Sequence, residues 1–302
     1  MNVFVAGGSG TIGIPLVRAL VARGHQVTAL TRSASKQGDI RALGATPAVA
    51  DAFNGDALIA VLEAAHPTHV IHQLTALPKA GPRRATDLEA TNRLRIDGTR
   101  NLLDAAISAR ARRFVVGSFA MLAPRVGVDA PAGNEAAAAV RSMESQVLEA
   151  TKRGSIEGVI LRYGIFYGLE TPSTARMIQL VRKRLLPVVN GDLGQLPLIH
   201  VGDAVSATVK ALDAAPAGST YDIVDDRAVS LTEIVEAIAE YTGSAPPFRV
   251  PAWLPRLLAP YMARMTSIRM PLSNARAKAE LGWQPRYPTL RVGLAEIFRQ
   301  AA

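Results

Sequence analysis

Met1 to Gly13, MNVFVAGGSGTIG, decides the fold. A short apolar run, Val3 to Ala6, enters a turn with glycines at 7, 8, 10 and 13, and a helical pattern follows from Thr11 to Arg23. Strand, glycine turn and helix in this order form a dinucleotide-binding fingerprint. Gly7 permits the tight turn. Gly10 lets the backbone approach a pyrophosphate lying on the amide-rich helix N-terminus, and Gly13 lets the helix pack close to the strand. Gly8, Ser9, Thr11 and Ile12 complete the expected contact set.

Working outward, Gly24 and His25 end the helix, and Gln26 to Thr31 reads as a second parallel strand. An acidic residue at its end would hold the ribose 2′-hydroxyl of NAD. This chain has Arg32 there, then Ser33, with Lys36 close behind. A guanidinium can grip a 2′-phosphate in a fork, whereas an acidic residue would repel it. The expected cofactor is therefore NADP, with NAD less favoured. A solvated loop arginine is the plainer alternative for Arg32.

Strands and helices alternate to about residue 165. The pattern predicts strands at Thr46 to Ala50, His69 to Leu74, Arg113 to Gly117 and Gly158 to Arg162. It predicts helices at Ala57 to Ala65, Leu88 to Ala109 and Glu135 to Arg153. Such alternation implies an α/β fold, a doubly wound parallel sheet with helices on both faces and the cofactor at the edge where the strands end. After Tyr163 the texture changes. Pro172, Pro187, Pro197, Gly191 and Gly194 punctuate shorter elements, and Pro246, Pro247, Pro251, Pro255 and Pro260 mark a proline-rich region. A strand is expected at Tyr221 to Val224, a helix at Ser230 to Tyr241 with Ser230 as its cap, and a last helix at Leu290 to Gln300. The expected division is a nucleotide-binding domain over 1–165, rejoined by 196–228. Residues 166–195 and 229–302 would form a smaller C-terminal substrate-binding lid.

Composition narrows the function. The 302 residues include no cysteine, which excludes disulfides, thiolate nucleophiles and cysteine metal sites. No apolar run approaches the length of a membrane span, so no membrane association and a cytoplasmic location are expected. The net charge of +9 comes from scattered arginines with only 5% aromatic residues. There is no basic stripe or stacking platform for nucleic acid. A solvated face with affinity for phosphate-bearing ligands accounts for the charge.

The chain resembles the extended short-chain dehydrogenases/reductases of the NAD(P)-dependent epimerase/dehydratase type, which have a Rossmann-type nucleotide-binding domain. The resemblance rests on GGSGTIG at Gly7 to Gly13, Asp51 in VADAF and DGTRNLLDAA at Asp97 to Ala106. It also rests on LRYGIFYG at Leu161 to Gly168, IHVGDAV at Ile199 to Val205 and LGWQPRYP at Leu281 to Pro288. It implies that Asp51, with Ala52, contacts the adenine. It also adds Leu74, Thr75, Ala76 and Tyr163 to the cofactor contacts.

Departures from that family bear on mechanism. The resemblance would call for a tyrosine followed four residues later by lysine, but no tyrosine here is so followed. Aligning Glu144 with the family's glutamate puts Ala136 and Val140 where the pair should be, and Arg95 stands where the family usually has asparagine. The remaining candidates to assist chemistry are Ser118 after the fifth strand and Tyr163 after the sixth, or an ordered water; Tyr167 is a further tyrosine there. Local capping by Ser118 and loop packing by the tyrosines are the plainer alternatives. His72 is expected as a satisfied core histidine, His200 as structural, Asp203 as the cap of a helix from Ala204 to Leu212, and Glu144 as an ion-pair partner of Arg162 or Arg141. No metal-ligand cluster is seen. Three functions follow as expectations: an NADP(H)-dependent oxidoreductase of a small carbonyl or alcohol, a nucleotide-sugar epimerase or dehydratase, and a non-catalytic NADP-binding sensor or scaffold. A homodimer through Leu88 to Ala109 and Glu135 to Arg153 is also expected. It would use Val140, Met143 and Val147, unless these pack on the sheet.

Overall fold

The computed structural model describes residues 1–78, 81–82, 84–124, 134–189, 194–251, 253–258 and 272–301. Gly191 and Pro260 lie outside them. The apolar runs become strands β1 (Asn2–Ala6), β2 (Gln26–Thr31), β3 (Thr46–Val49), β4 (His69–His72), β5 (Arg113–Phe119) and β6 (Glu157–Tyr163). After the short β7 (Ile165–Tyr167), β8 (Val188–Val189) and β9 (Leu198–His200), β10 (Thr220–Ile223) returns to the edge of the main sheet. The main sheet has seven parallel strands in the order β10-β6-β5-β4-β1-β2-β3. Strand order reverses between β1 and β4, and a doubly wound sheet binds its ligand at that switch, beyond the strand ends.

Both faces of the sheet are covered, so its strands read as nearly continuous apolar runs. Helices α1 (Gly13–Ala22) and α2 (Gln37–Ala42) follow β1 and β2. On one face Leu16, Val17 and Leu20 of α1 share a core with Val205 and Val209 of α8 (Val201–Ala214). On the other face lie α3 (Gly55–Ala65), α5 (Thr99–Ser108) and α6 (Glu135–Lys152), whose Leu58, Leu102, Met143 and Val147 pack around Phe4, Val70 and Phe114. A third core joins α7 (Pro172–Arg182), α9 (Leu231–Tyr241) and the final helix around Val181, Ile234, Ile238 and Leu294. Between these stand α8 (Val201–Ala214), α10 (Trp253–Leu258), α11 (Ala275–Leu281) and the final α12 (Leu290–Ala301). Ala277, Leu281 and Trp283 belong to the α1/α8 core rather than to the third core. This part of the tail thus packs with α1, α8 and the main sheet, where Trp283 finds a large apolar cover. No helix among the described residues is long and apolar enough to cross a membrane.

Two expected boundaries move in ways that matter for the site. The helix expected over Leu88 to Ala109 is composite: a 3₁₀ turn at Ala85–Leu88, α4 (Glu89–Arg93), a π-helical turn at Leu94–Gly98, then α5. The wider turn keeps Leu94, Arg95, Gly98 and Thr99 all on the buried side. Strand β5 also runs two residues past Gly117, with Ser118 opposite Arg162 and Phe119 opposite Tyr163. Ser118 is therefore a strand residue, aimed to one face of the sheet by the pleat.

Candidate active site

The glycine turn is built as its residues require. Gly7 has φ +90°, and a Cβ on Gly13 would overlap the carbonyl oxygen of Gly7. α1 starts at Ile12–Gly13 with no side-chain cap and no acidic residue in its first turn. The Ile14 amide is spent on the Gly10 carbonyl and Pro15 has none, but the amides of Thr11, Ile12 and Gly13 have no partner among the described residues and can receive an anion, which the helix dipole favours. A Cβ at Gly10 would touch only the Gly7 oxygen, at 3.2 Å, so nothing else crowds that side of the cradle. These features fit a pyrophosphate.

At the end of β2, Arg32 is exposed and makes no hydrogen bond or ion pair with any described residue. Ser33 gives its amide to Thr31 Oγ1 at 3.2 Å, and its hydroxyl lies 2.7 Å from Ser35 Oγ. Lys36 ends the 3₁₀ turn that Ser33 opens. Cation, hydroxyls and amides thus gather at one loop, a chemistry that fits a phosphate. After β3, Asp51 Oδ1 accepts the Phe53 amide at 2.9 Å, and the Ala52 carbonyl accepts from Asn101 Nδ2. After β4, Leu74 and Ala76 are half-buried and Thr75 is exposed. The Ala76 amide is held by Thr91 Oγ1 at 3.0 Å.

Ser118 and Tyr163 do not come together. Ser118 faces α6, where its Oγ donates to Glu144 Oε1 at 2.6 Å. Arg162 grips the same carboxylate with Nε at 3.0 Å and Nη2 at 2.6 Å. Of the two expected partners for Glu144, Arg162 is therefore the one that pairs. Tyr163 faces the opposite side and is 3% exposed. Its hydroxyl accepts from Gln73 Nε2 at 3.0 Å and lies 2.7 Å from Thr208 Oγ1. Thr208 spends its own hydrogen on the Ala204 carbonyl, at 2.6 Å, so Tyr163 must donate to Thr208. Burial pushes its pKa up to about 12. Tyr167 donates to Asp225 Oδ2 at 3.1 Å beneath α12, where a Cβ on Gly293 would overlap its ring.

On α6, Ala136 and Val140 precede Glu144 by two turns and one turn on the same buried face. Val140, Met143 and Val147, offered as dimer contacts, are 0%, 1% and 0% exposed within the single chain. They pack against the sheet and the adjoining helices, so they supply no interface. Among the outward residues there, Ile96 and Leu148 are exposed.

The histidines are structural in geometry. His72 Nδ1 accepts the Leu74 amide and Nε2 lies 3.0 Å from Thr99 Oγ1. Burial, then the Arg95 charge, lowers its pKa to about 4. His200 caps α8 by accepting the Gly202 amide on Nδ1, with its pKa lowered to about 4, mainly by burial. The cap expected of Asp203 is therefore held by His200. Asp203 sits inside the first turn and accepts the Arg286 and Tyr287 amides, each at 2.8 Å. It ties the tail to α8, a use that only a contact 83 residues away could reveal.

Sequence reasoning named Arg95 only as a departure. It is 8% exposed at the π turn, and its Nη1 has no partner. Its spacing with Thr91, Thr99 and Leu102 puts it on the inner face of the helix, a signal readable from the sequence.

Residues 3–224 match the profile of the NAD dependent epimerase/dehydratase family. Over 310 residues the chain is 37% identical to a 3-diazoavenalumate denitrifying reductase from a Streptomyces species, covering 97% of this chain and 99% of that protein. It is 30% identical over 320 residues to a 4-hydroxy-2-methyl-3-oxo-4-farnesyl-3,4-dihydroquinoline-1-oxide ketoreductase from Stigmatella aurantiaca, covering 99% and 87%. The NAD complex of UDP-glucose 4-epimerase from Thermus thermophilus superposes with a TM-score of 0.77 at 25% identity, covering 100% of both chains.

Proposed function

Because the chain belongs to the NAD dependent epimerase/dehydratase family, we propose that it is an NADP(H)-dependent reductase of a small substrate with a carbonyl or similarly electrophilic centre. One observation carries this reading. On α6 the buried Ala136 and Val140 put a methyl and an isopropyl group on the face where the family's tyrosine and lysine would relay a proton. Epimerisation needs efficient proton relay in both directions. Reduction needs a held electrophile and a hydride source, and it tolerates the loss. The Streptomyces and Stigmatella relatives are named as a reductase and a ketoreductase, which supports the same choice.

Residues 7–13 would hold the pyrophosphate, and Arg32, Ser33 and Lys36 the 2′-phosphate. Asp51 and Ala52 would lie on the adenine side, and Leu74, Thr75, Ala76 and Tyr163 on the nicotinamide side. NADPH, when bound, supplies the hydride. Ser118 commits its hydrogen to Glu144, so its remaining lone pairs accept a hydrogen bond and orient substrate. Tyr163 commits its hydrogen to Thr208 and holds Gln73 under the edge of the sheet. The proton that completes a carbonyl reduction then comes from water.

The test is consumption of NADPH, followed by reduced-nicotinamide absorbance, across aldehydes and ketones, with nucleotide sugars assayed in parallel for isomer or dehydration products. Net oxidation with a carbonyl substrate is expected. Tyr163→Phe should keep single-turnover hydride transfer within a few-fold. Nucleotide-sugar conversion without net cofactor consumption would refute the reading. A hundredfold loss in Tyr163→Phe, with cofactor affinity kept, would restore that tyrosine as the proton donor.

A further inference from the structure

We propose that Arg95 is the anion-binding residue of this site and takes a carboxylate of the substrate. Calling the ligand a substrate rests on the reductase reading above; the anion site itself does not. Arg95 stands in the π turn Leu94–Gly98, and the residue is 8% exposed. It makes no hydrogen bond or ion pair with any described residue, and Nη1 is both buried and unpartnered. Burial lowers its pKa to about 10, so it stays a cation at neutral pH.

The chain treats its other buried arginines differently. Arg113 pairs with Glu157 and donates to the Ala211 and Leu212 carbonyls at 3.1 and 2.7 Å. Arg162 has the Glu144 carboxylate. Each time, acceptors come with the desolvated guanidinium, as its five donors demand. Among the described residues Arg95 has the burial without the acceptors. A buried cation left uncompensated is costly, and an anion arriving from outside would compensate it.

Its place fits a substrate group. The Arg95 charge acts on His72, which ends β4 at the ligand edge of the sheet. The π turn also packs on α6, the helix that presents Ala136 and Val140. One turn earlier, Asn92 leaves Oδ1 buried and unpartnered. Two unsatisfied polar groups of opposite sense thus lie one turn apart on one helix. π turns inserted in helices recur at functional sites. The cation lost from α6 is thus replaced, on a neighbouring element, by one that reads a charge on the substrate.

The experiment uses the full chain saturated with NADP⁺ and three probes: formate, benzoate and the neutral isostere benzamide. Binding is measured by calorimetry on the unaltered protein, Arg95→Met and Arg95→Lys, and thermal midpoints are taken without probes. The unaltered protein should bind benzoate and formate but not benzamide. Arg95→Met should lose about ten- to a hundredfold in carboxylate affinity, and Arg95→Lys should keep part of it. Without probes, Arg95→Met should unfold no lower than the unaltered protein, because it removes an unpaired buried charge. The proposal is overturned if neither carboxylate binds, if Arg95→Met binds them equally, or if that variant melts several degrees lower. It is also overturned if Arg95→Met weakens NADP⁺ instead, which would make Arg95 a cofactor contact. Repeating the carboxylate titrations without nucleotide separates the two readings. Failure to bind NADPH while Arg95-dependent carboxylate binding persists would sink the reductase alone.

Discussion

Replacing Asp225 with asparagine should stabilise the protein increasingly as the pH rises from about 4 to 7 and leave it nearly unchanged below that. Asp225 follows β10 and is 5% exposed. Its Oδ2 accepts from Tyr167, and its Oδ1 has no partner among the described residues. Burial raises its pKa to about 7; the Tyr167 hydrogen bond opposes this, and the charges of Asp203 and Asp226 add to it. The unfolded chain releases this proton near the ordinary value of 3.8. Between these two values the folded state holds the proton and the unfolded state does not, so stability falls as pH rises through the window. At about 1.4 kcal/mol per pH unit, the gap corresponds to a loss of about 4 kcal/mol once the pH passes the folded pKa. Asparagine keeps an acceptor for Tyr167 and has no charge to desolvate. Urea unfolding at about pH 4, 6 and 8 should therefore show Asp225→Asn gaining almost nothing over the unaltered protein at the first, about 3 kcal/mol at the second and about 4 kcal/mol at the third. Parallel pH profiles for the two proteins would refute the reasoning.

Arg32→Asp should remove the preference for NADPH over NADH, a change of about ten- to a hundredfold in relative affinity; fluorescence titration of both cofactors checks it, and an unaltered protein without preference would refute the reading of that loop. Glu144→Gln should cost about 3–5 kcal/mol in denaturant unfolding, because it leaves the mostly buried Arg162 guanidinium without its counter-charge. Gly13→Ala should weaken cofactor binding by more than tenfold and lower stability by about 1–3 kcal/mol, since the new methyl overlaps the Gly7 carbonyl. Light scattering should show no loss of association when Val140 is shortened to alanine, because that side chain is buried within its own chain.

What the sequence disclosed was local in origin. Gly7 to Gly13 could be read because each glycine answers a contact within a few residues or with the adjoining strand. The limits of β2 and the Ser230 cap, which forms a capping box with Glu233, follow from neighbouring residues in the same way. The π turn escaped because one extra residue per turn leaves the buried face of the helix continuous. Asp203 escaped because its partners are amides of the distant tail. Arg95 was visible only as a departure from the family pattern, and its lack of a partner among the described residues depends on the elements around it.

The register between β5 and β6 explains why the two hydroxyls singled out in the sequence ended apart. Ser118 lies opposite Arg162 and Phe119 opposite Tyr163, so the pleat sends Ser118 and Arg162 to the α6 face and Tyr163 to the α8 face. Gly117, on the same face as Tyr163, has no room for a Cβ, because the Gln73 amide and the Tyr163 ring already cover it. A one-residue slip would exchange these faces and bury the Glu144 carboxylate against a phenyl or phenol ring. The Glu144–Arg162 pair therefore holds the register as well as a charge. Ser118 reaches the edge of the sheet only as part of that pair, which is why its hydrogen points inward to Glu144 and its lone pairs are what it can offer a ligand.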